Sequence, residues 1–308
     1  MSALVHKQTS GRFRTMSALP RKQTSADEIG MSAKGHELKL PKILKASLVK
    51  LKCGETWRSA MGAAVDPFSY HPELRGKISD PLTSPSRNLT TAKLATLAKA
   101  RGLPVDWWYS DSEREASRAE TLAGRRDTDL WVFGYGSLMW DPAFRFEEVR
   151  RAHVPDYARR FILKDIYGGR GTVDAPGLMA ALDKGPGCDG LAFRISRKHI
   201  DEETEVLWRR ERIGPAYTPV FVEVIAADGR MTVLTFVADH GADLIDASLT
   251  RAQQIEFCAT GTGFMGSSLD YLRKISSQFA ALGIQDNEVS ELLRETEAYI
   301  NSGRKLPA

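Results

Sequence analysis

The run Trp131-Val-Phe-Gly-Tyr-Gly-Ser-Leu-Met-Trp140 sets an apolar stretch directly before a Gly-x-Gly turn and a hydroxyl residue. This order of residue types can present main-chain N–H groups to a ligand. Gly134 and Gly136 permit positive φ and let a bound group approach the backbone without meeting a Cβ. Donors placed this way suit the polarisation of a carbonyl. Glycines alone would equally well end a strand in a tight turn, so a second chemical feature is needed. It lies in residues 197–211, where Ile200, Thr204, Leu207, Trp208 and Glu211 recur at spacings of three and four and share one helical face. Glu211 is thus a carboxylate on an apolar face. Lost hydration there raises its pKa, and the helix C-terminal dipole disfavours its charge further. Such a group either exchanges a proton near neutral pH or pairs with Arg210 or Arg212 at the helix end. A donor turn and one inward carboxyl together are the parts for acyl transfer without a protein nucleophile.

Composition narrows the classes to which these parts can belong. The three cysteines, Cys53, Cys188 and Cys258, form no close pair, which points to a reducing compartment and away from a disulfide framework. The six histidines include no HExxH or similar pair, so metal catalysis is not expected. No apolar run reaches the roughly 18 residues of a membrane span, and a soluble, cytoplasmic protein is expected. The net charge is +4. Its basic excess sits in the first 50 residues, with 10 Lys/Arg against 3 Asp/Glu, and the remainder is slightly acidic. No nucleic-acid partner is therefore expected. A nucleotide fingerprint is also missing, since no GK[ST] follows the turn and a third glycine is lacking.

The elements that must position Gly134–Leu138 and Glu211 can be read from periodicity and punctuation. Residues 1–40, with the near-copies MSALVHKQTSGRFRT and MSALPRKQTSADEIG, read as a disordered repetitive leader. Residues 41–105 read as short helices and linker: a basic amphipathic helix over 41–52, a proline-rich linker over 54–88, and a helix at Thr90–Lys99. A folded domain is expected over 106–302. It opens with a helix from Ser110 to Gly124 that carries a capping box, Ser110 with Glu113. Strands are predicted at Leu130–Gly134, Leu178–Leu182, Gly190–Ile195, Thr218–Ile225 and Met231–Val237, the last two joined at Asp228-Gly229. Helices are predicted at Arg197–Glu211, Arg251–Thr260, Gly266–Leu282 and Asn287–Ile300. The pattern implies an α+β domain around a small, mostly antiparallel sheet or barrel.

WVFGYGSLMWDPAF, GGRGT with APGLMAAL, LWRRERIGPAYTP and SLDYLRKISSQFAALGIQDNEVSELL resemble, in that order, the glutathione-specific gamma-glutamylcyclotransferase (ChaC-type) family over roughly residues 106–300. The resemblance implies a small mixed, mostly antiparallel β-barrel with flanking and C-terminal helices. It also implies a cofactor-independent lyase that cyclises the gamma-glutamyl group of glutathione to 5-oxoproline and releases Cys-Gly. The substrate's own α-amine would be the nucleophile. Carried onto this chain, the family's catalytic glutamate falls on Glu211. Its substrate loop falls on Tyr135, Gly136, Ser137 and Leu138, preceded by Val132, Phe133 and Gly134. Tyr217 and Tyr271 match two pocket tyrosines, and Arg170 is a candidate for a substrate carboxylate. The chain departs from many relatives at Gly214-Pro-Ala-Tyr217 and at Ser267-Ser268, where an asparagine is common. The alternatives are a cyclotransferase for other gamma-glutamyl amines or dipeptides, and a catalytically silent binding module of the same fold. The oligomeric state is not readable from the sequence.

Overall fold

The computed structural model describes residues 66–105 and 107–303. The leader and the helix expected over 41–52 lie outside the described residues. Two helices come first, α1 (Thr91–Ala100) and α2 (Asp111–Thr121). Five strands follow: β1 (Leu130–Gly134), β2 (Glu148–Val154), β3 (Tyr157–Tyr167), β4 (Thr172–Lys184) and β5 (Cys188–Ile195). Next come α3 (Ile200–Glu211), the hairpin β6 (Tyr217–Ala226) and β7 (Gly229–Ala238), and α4 (Arg251–Thr260). The chain continues through the short pair β8 (Thr262–Gly263) and β9 (Gly266–Ser267) into α5 (Ser268–Leu282) and α6 (Asn287–Ser302). No helix among the described residues is long and apolar enough to cross a membrane.

Five strands form a closed ring in the order β1-β5-β2-β6-β7, which returns to β1 through a parallel bridge between Val132 and Leu234. The other ring pairings are antiparallel. Closure leaves none of the five with a free edge. From β7 the sheet continues outward: β4 joins it in parallel at Leu182–Val237, and β3 pairs with β4. The fold is therefore α+β, a small, mostly antiparallel barrel with flanking helices.

Strands β2 and β3 are absent from the sequence reading because Arg150, Arg151, Arg159 and Arg160 break their apolar alternation. Pairing with β5 and β4 holds them in place despite that composition. The capping box at Ser110 forms as expected, with each of Ser110 and Glu113 bonding the other's backbone. α5 starts two residues later than predicted, because Gly266-Ser267 pairs with Thr262-Gly263 and Ser267 caps the helix instead.

α3 seals the barrel. Leu207 and Trp208 are fully buried, and the Trp208 ring meets Phe236 edge-on with centroids 5.4 Å apart. Burial of each such side chain stabilises the fold by roughly 1.5–3 kcal/mol. One expectation is overturned here: residues 66–88 are not a linker. Leu74 is fully buried in the main core, Ser79 donates its N–H to the Trp140 carbonyl at 2.8 Å, and Gln278 donates to the Lys77 carbonyl at 2.8 Å. Two of the prolines that suggested a linker instead open short 3-10 turns, at Pro72–Leu74 and Pro85–Asn88. Irregular backbone packs where it carries residues such as Leu74 and Ile78.

Candidate active site

β1 delivers the Gly134–Leu138 turn to one end of the barrel, where Ser137–Met139 forms a 3-10 turn. Hydrogen bonds closing it run from Met139 to the Gly136 carbonyl at 3.0 Å and from Trp140 and Asp141 to the Ser137 carbonyl at 3.2 and 3.0 Å. None of these uses the N–H of Gly136, Ser137 or Leu138. The glycines act differently from expectation. Neither Gly134 nor Gly136 has positive φ; Gly136 sits at φ −134°. What demands glycine is close approach. A Cβ on Gly134 would lie 2.8 Å from the Leu138 Cβ, and one on Gly136 would lie 2.7 Å from the Tyr271 hydroxyl.

The turn is held from beneath. The Tyr135 carbonyl accepts from the Arg159 Nε at 2.7 Å, and the Tyr135 hydroxyl donates to the Phe236 carbonyl at 2.9 Å. Arg159 is itself buried, ion-paired to Asp286 at 2.5 Å and stacked over Phe279. Val132 and Phe133 are fully buried in the two cores on either side of β1, so they form the floor beneath the turn. Leu138 is likewise in the core, while Ser137 is half-buried.

Tyr271 and Tyr217 are fixed by a single backbone residue. Ala180 on β4 donates its N–H to the Tyr271 hydroxyl at 3.3 Å, and its carbonyl accepts from the Tyr217 hydroxyl at 2.9 Å. Glu211, the last residue of α3, completes the group. Its side chain is 13% exposed and accepts from the Arg210 Nε at 3.0 Å. Burial raises its pKa, the Arg210 guanidinium opposes that rise, and Asp141 adds to it. Glu211 thus pairs with Arg210 and is at the same time desolvated. The Glu211 charge is also felt by Tyr135, Tyr217 and Tyr271, whose pKa values burial raises first; that of Tyr271 is pushed up to about 12. All three are neutral donors near pH 7. One ionisable carboxylate therefore stands among three neutral phenols beside a turn of free N–H groups.

Arg170 lies in the loop between β3 and β4, with its guanidinium 4.8 Å from the Tyr271 ring centroid. It is 6% exposed. Its Nη1 donates to the Ser267 carbonyl at 3.1 Å. Buried Asp165 accepts from the Arg170 and Tyr167 backbone N–H groups and shapes the loop. Ser268, fully buried, accepts from Leu178 N–H at 2.9 Å and ties the loop to β4.

Sequence reasoning misses Arg159, Asp141 and Glu203. Arg159 sits on an unpredicted strand. Asp141 lies 3.2 Å from Arg210 Nη1 and so limits how fully Arg210 can neutralise Glu211. Glu203 is completely buried on α3, where it pairs with Arg87 at 2.6 Å and with Arg145. These cations hold its pKa down although burial pushes it up. Its place beside Glu202 in a charged run hides it, and only its helical spacing from Ile200 and Leu207 could have signalled burial.

The family described as ChaC-like protein matches residues 130–299. The glutathione-specific gamma-glutamylcyclotransferase of Escherichia coli K12 is 36% identical over 188 residues, which cover 60% of this chain and 80% of that protein. The enzyme of the same name from Schizosaccharomyces pombe is 29% identical, over 54% of this chain and 91% of that one. Among solved structures, a glutathione-specific gamma-glutamylcyclotransferase from yeast superposes with a TM-score of 0.52 at 22% identity. It covers 56% of this chain and 97% of its own, a likeness of fold.

Proposed function

Because this chain belongs to the ChaC-like family, we infer that it breaks down glutathione by cyclising the gamma-glutamyl group to 5-oxoproline and releasing Cys-Gly, a lyase reaction. The observation that carries this reading is the placement of Glu211 among Tyr135, Tyr217 and Tyr271 beside the Gly136–Leu138 donors, in a chain 36% identical to the E. coli enzyme of that name. In this reading the turn holds the gamma-glutamyl group curled, so that its α-amine lies against its own γ-carbonyl. Pre-orientation of that kind can supply several kcal/mol of the barrier.

Glu211 takes a proton from the substrate's ammonium, and the freed amine attacks the γ-carbonyl carbon. The turn N–H groups receive the charge on the carbonyl oxygen, where each such donor is worth about 10²–10³ in rate. Glu211 gives its proton to the cysteinyl nitrogen as the C–N bond breaks, then takes the second proton from the ring nitrogen and passes it to the departing amine, which leaves as an ammonium. Protons balance, and the substrate supplies the nucleophile, so the chemistry asks for no cofactor. Tyr271, whose hydroxyl accepts from Ala180, keeps its O–H to donate, Tyr217 gives its own to the Ala180 carbonyl and serves as wall, and Arg159 acts through Tyr135 as a positioning residue. Cys188 and Cys258 are free, buried thiols, which suits a cytoplasmic setting.

The test is direct. Purified protein incubated with glutathione, without added metal or nucleotide, should release 5-oxoproline and Cys-Gly in equal amounts. Absence of 5-oxoproline would falsify the substrate assignment.

A further inference from the structure

We infer that the pocket between the β3–β4 loop and α5 is an anion subsite that receives the carboxylate of the leaving dipeptide, with Arg170 as its fixed cation and Lys274 as its mobile one. The inference rests on the glutathione-cleaving reading above. The pocket holds about 380 Å³ and is lined in part by Arg170, Gly266, Asp270, Arg273 and Lys274.

Arg170 is the built part of the site. Its guanidinium is buried, stacked on Tyr271, and keeps one buried nitrogen, Nε, with no hydrogen-bond partner. Buried guanidinium groups normally carry a paired anion. The nearby acids do not fill that place: Asp165 is engaged by backbone N–H groups, and Asp270 stands at the exposed rim, 3.9 Å from Arg273. Desolvation pulls the Arg170 pKa down, Tyr271, Asp165 and Asp270 oppose that in part, and the repulsion of Arg210 adds to it. An incoming carboxylate would relieve both and use the spare donor.

The rim carries the same sign of charge. Arg273 is tied to Glu297 at 2.9 Å. Lys274 is exposed, 6.0 Å from the Trp140 ring centroid, and has no carboxylate within ion-pair distance among the described residues. Against Arg170, Arg273 and Lys274 the lining sets only Asp270. A carboxylate ligand fits this balance, and a cation does not.

Tyr271 relates this pocket to the chemistry. Its hydroxyl end abuts Gly136, and its ring face carries Arg170. A two-residue peptide spans about 7 Å when extended. With the Tyr271 hydroxyl against the turn and its ring centroid 4.8 Å from the guanidinium, that length suits a Cys-Gly laid along the Tyr271 ring. The γ-glutamyl end remains on the Gly136 side, so the carboxylate reaching Arg170 is the glycyl one.

The experiment compares glutathione with its glycyl monoethyl ester, which keeps the γ-glutamyl group and lacks the charge. Lys274→Ala and Lys274→Glu are surface changes and should leave the fold intact. For glutathione, Lys274→Ala should raise KM about fivefold, with kcat unchanged, and Lys274→Glu should raise it further. For the ester both variants should match wild type. Arg170→Lys, which keeps the charge and loses the fork, should raise KM more for glutathione than for the ester. Equal losses on both substrates would place the glutamyl carboxylate in this pocket and overturn the assignment, as would no change in KM for glutathione. Those outcomes leave turnover intact. If the wild type released no 5-oxoproline from either compound, the catalytic reading itself would fail and the subsite with it.

Discussion

Replacing Glu211 by glutamine removes the proton acceptor and keeps the volume of the side chain. We expect turnover of Glu211→Gln to fall about 10²–10⁴-fold, measured as 5-oxoproline release, while circular dichroism remains that of the wild type. The pH dependence has a definite sign. Burial raises the Glu211 pKa above 4.5, and the reaction needs the carboxylate, so kcat/KM should fall as pH drops through a value above the ordinary carboxylate range. Stability runs the other way. A folded-state pKa above the unfolded one means that protonation favours the fold, and this contribution is lost as pH rises through the folded pKa. Thermal melts at pH 7 should therefore find Glu211→Gln no less stable than wild type, with the wild type gaining on acidification as the variant does not. Gly136 supplies a separate check. Gly136→Ala would drive its methyl group into the Tyr271 hydroxyl and should reduce activity sharply. Removing that hydroxyl in Gly136→Ala/Tyr271→Phe should restore the melting temperature in part; a double variant no more stable than the single one would contradict the close-approach explanation.

At the scale of elements, α3 does two jobs with two carboxylates. Its C-terminal end presents Glu211, desolvated and incompletely compensated. In its first turn, four residues before Leu207, Glu203 is compensated by Arg87 from the 66–88 segment and Arg145 from the loop before β2. That cluster fixes where α3 sits and hence where Glu211 points. Glu203→Ala would leave two cations, one of them largely buried, without their anion, so a loss of about 3–5 kcal/mol is expected in urea unfolding. The loss should be reproduced in large part by Arg87→Ala. Helix α3 was legible from sequence because its apolar residues recur at helical spacing. Strands β2 and β3 were not, because their arginines are satisfied by partners far along the chain: Arg159 by Asp286, and Arg150 by Asp228. Local pattern carries no record of such partners.

At the scale of the whole molecule, the folded unit reaches back at least to residue 66, through a stretch whose composition reads as linker. Leu74→Ala should therefore destabilise as a core substitution does, by about 2–5 kcal/mol, and should shift the same single unfolding transition that reports the barrel. A transition unmoved by Leu74→Ala would detach this stretch from the core. The sequence by itself determined the fold class, the donor turn after β1, the inward helix face that ends in Glu211, and the kinship of the chain, because each is carried by residues close together or by a motif of fixed spacing. Only the tertiary structure decided that the ring closes through Val132 and Leu234, that Ala180 sets both tyrosine hydroxyls, that Gly136 is required by the approach of Tyr271 and not by its own φ, and that Arg170 is left short of an anion. Each of these depends on groups brought together from distant parts of the chain, and their burial and charge balance exist only once the barrel has closed.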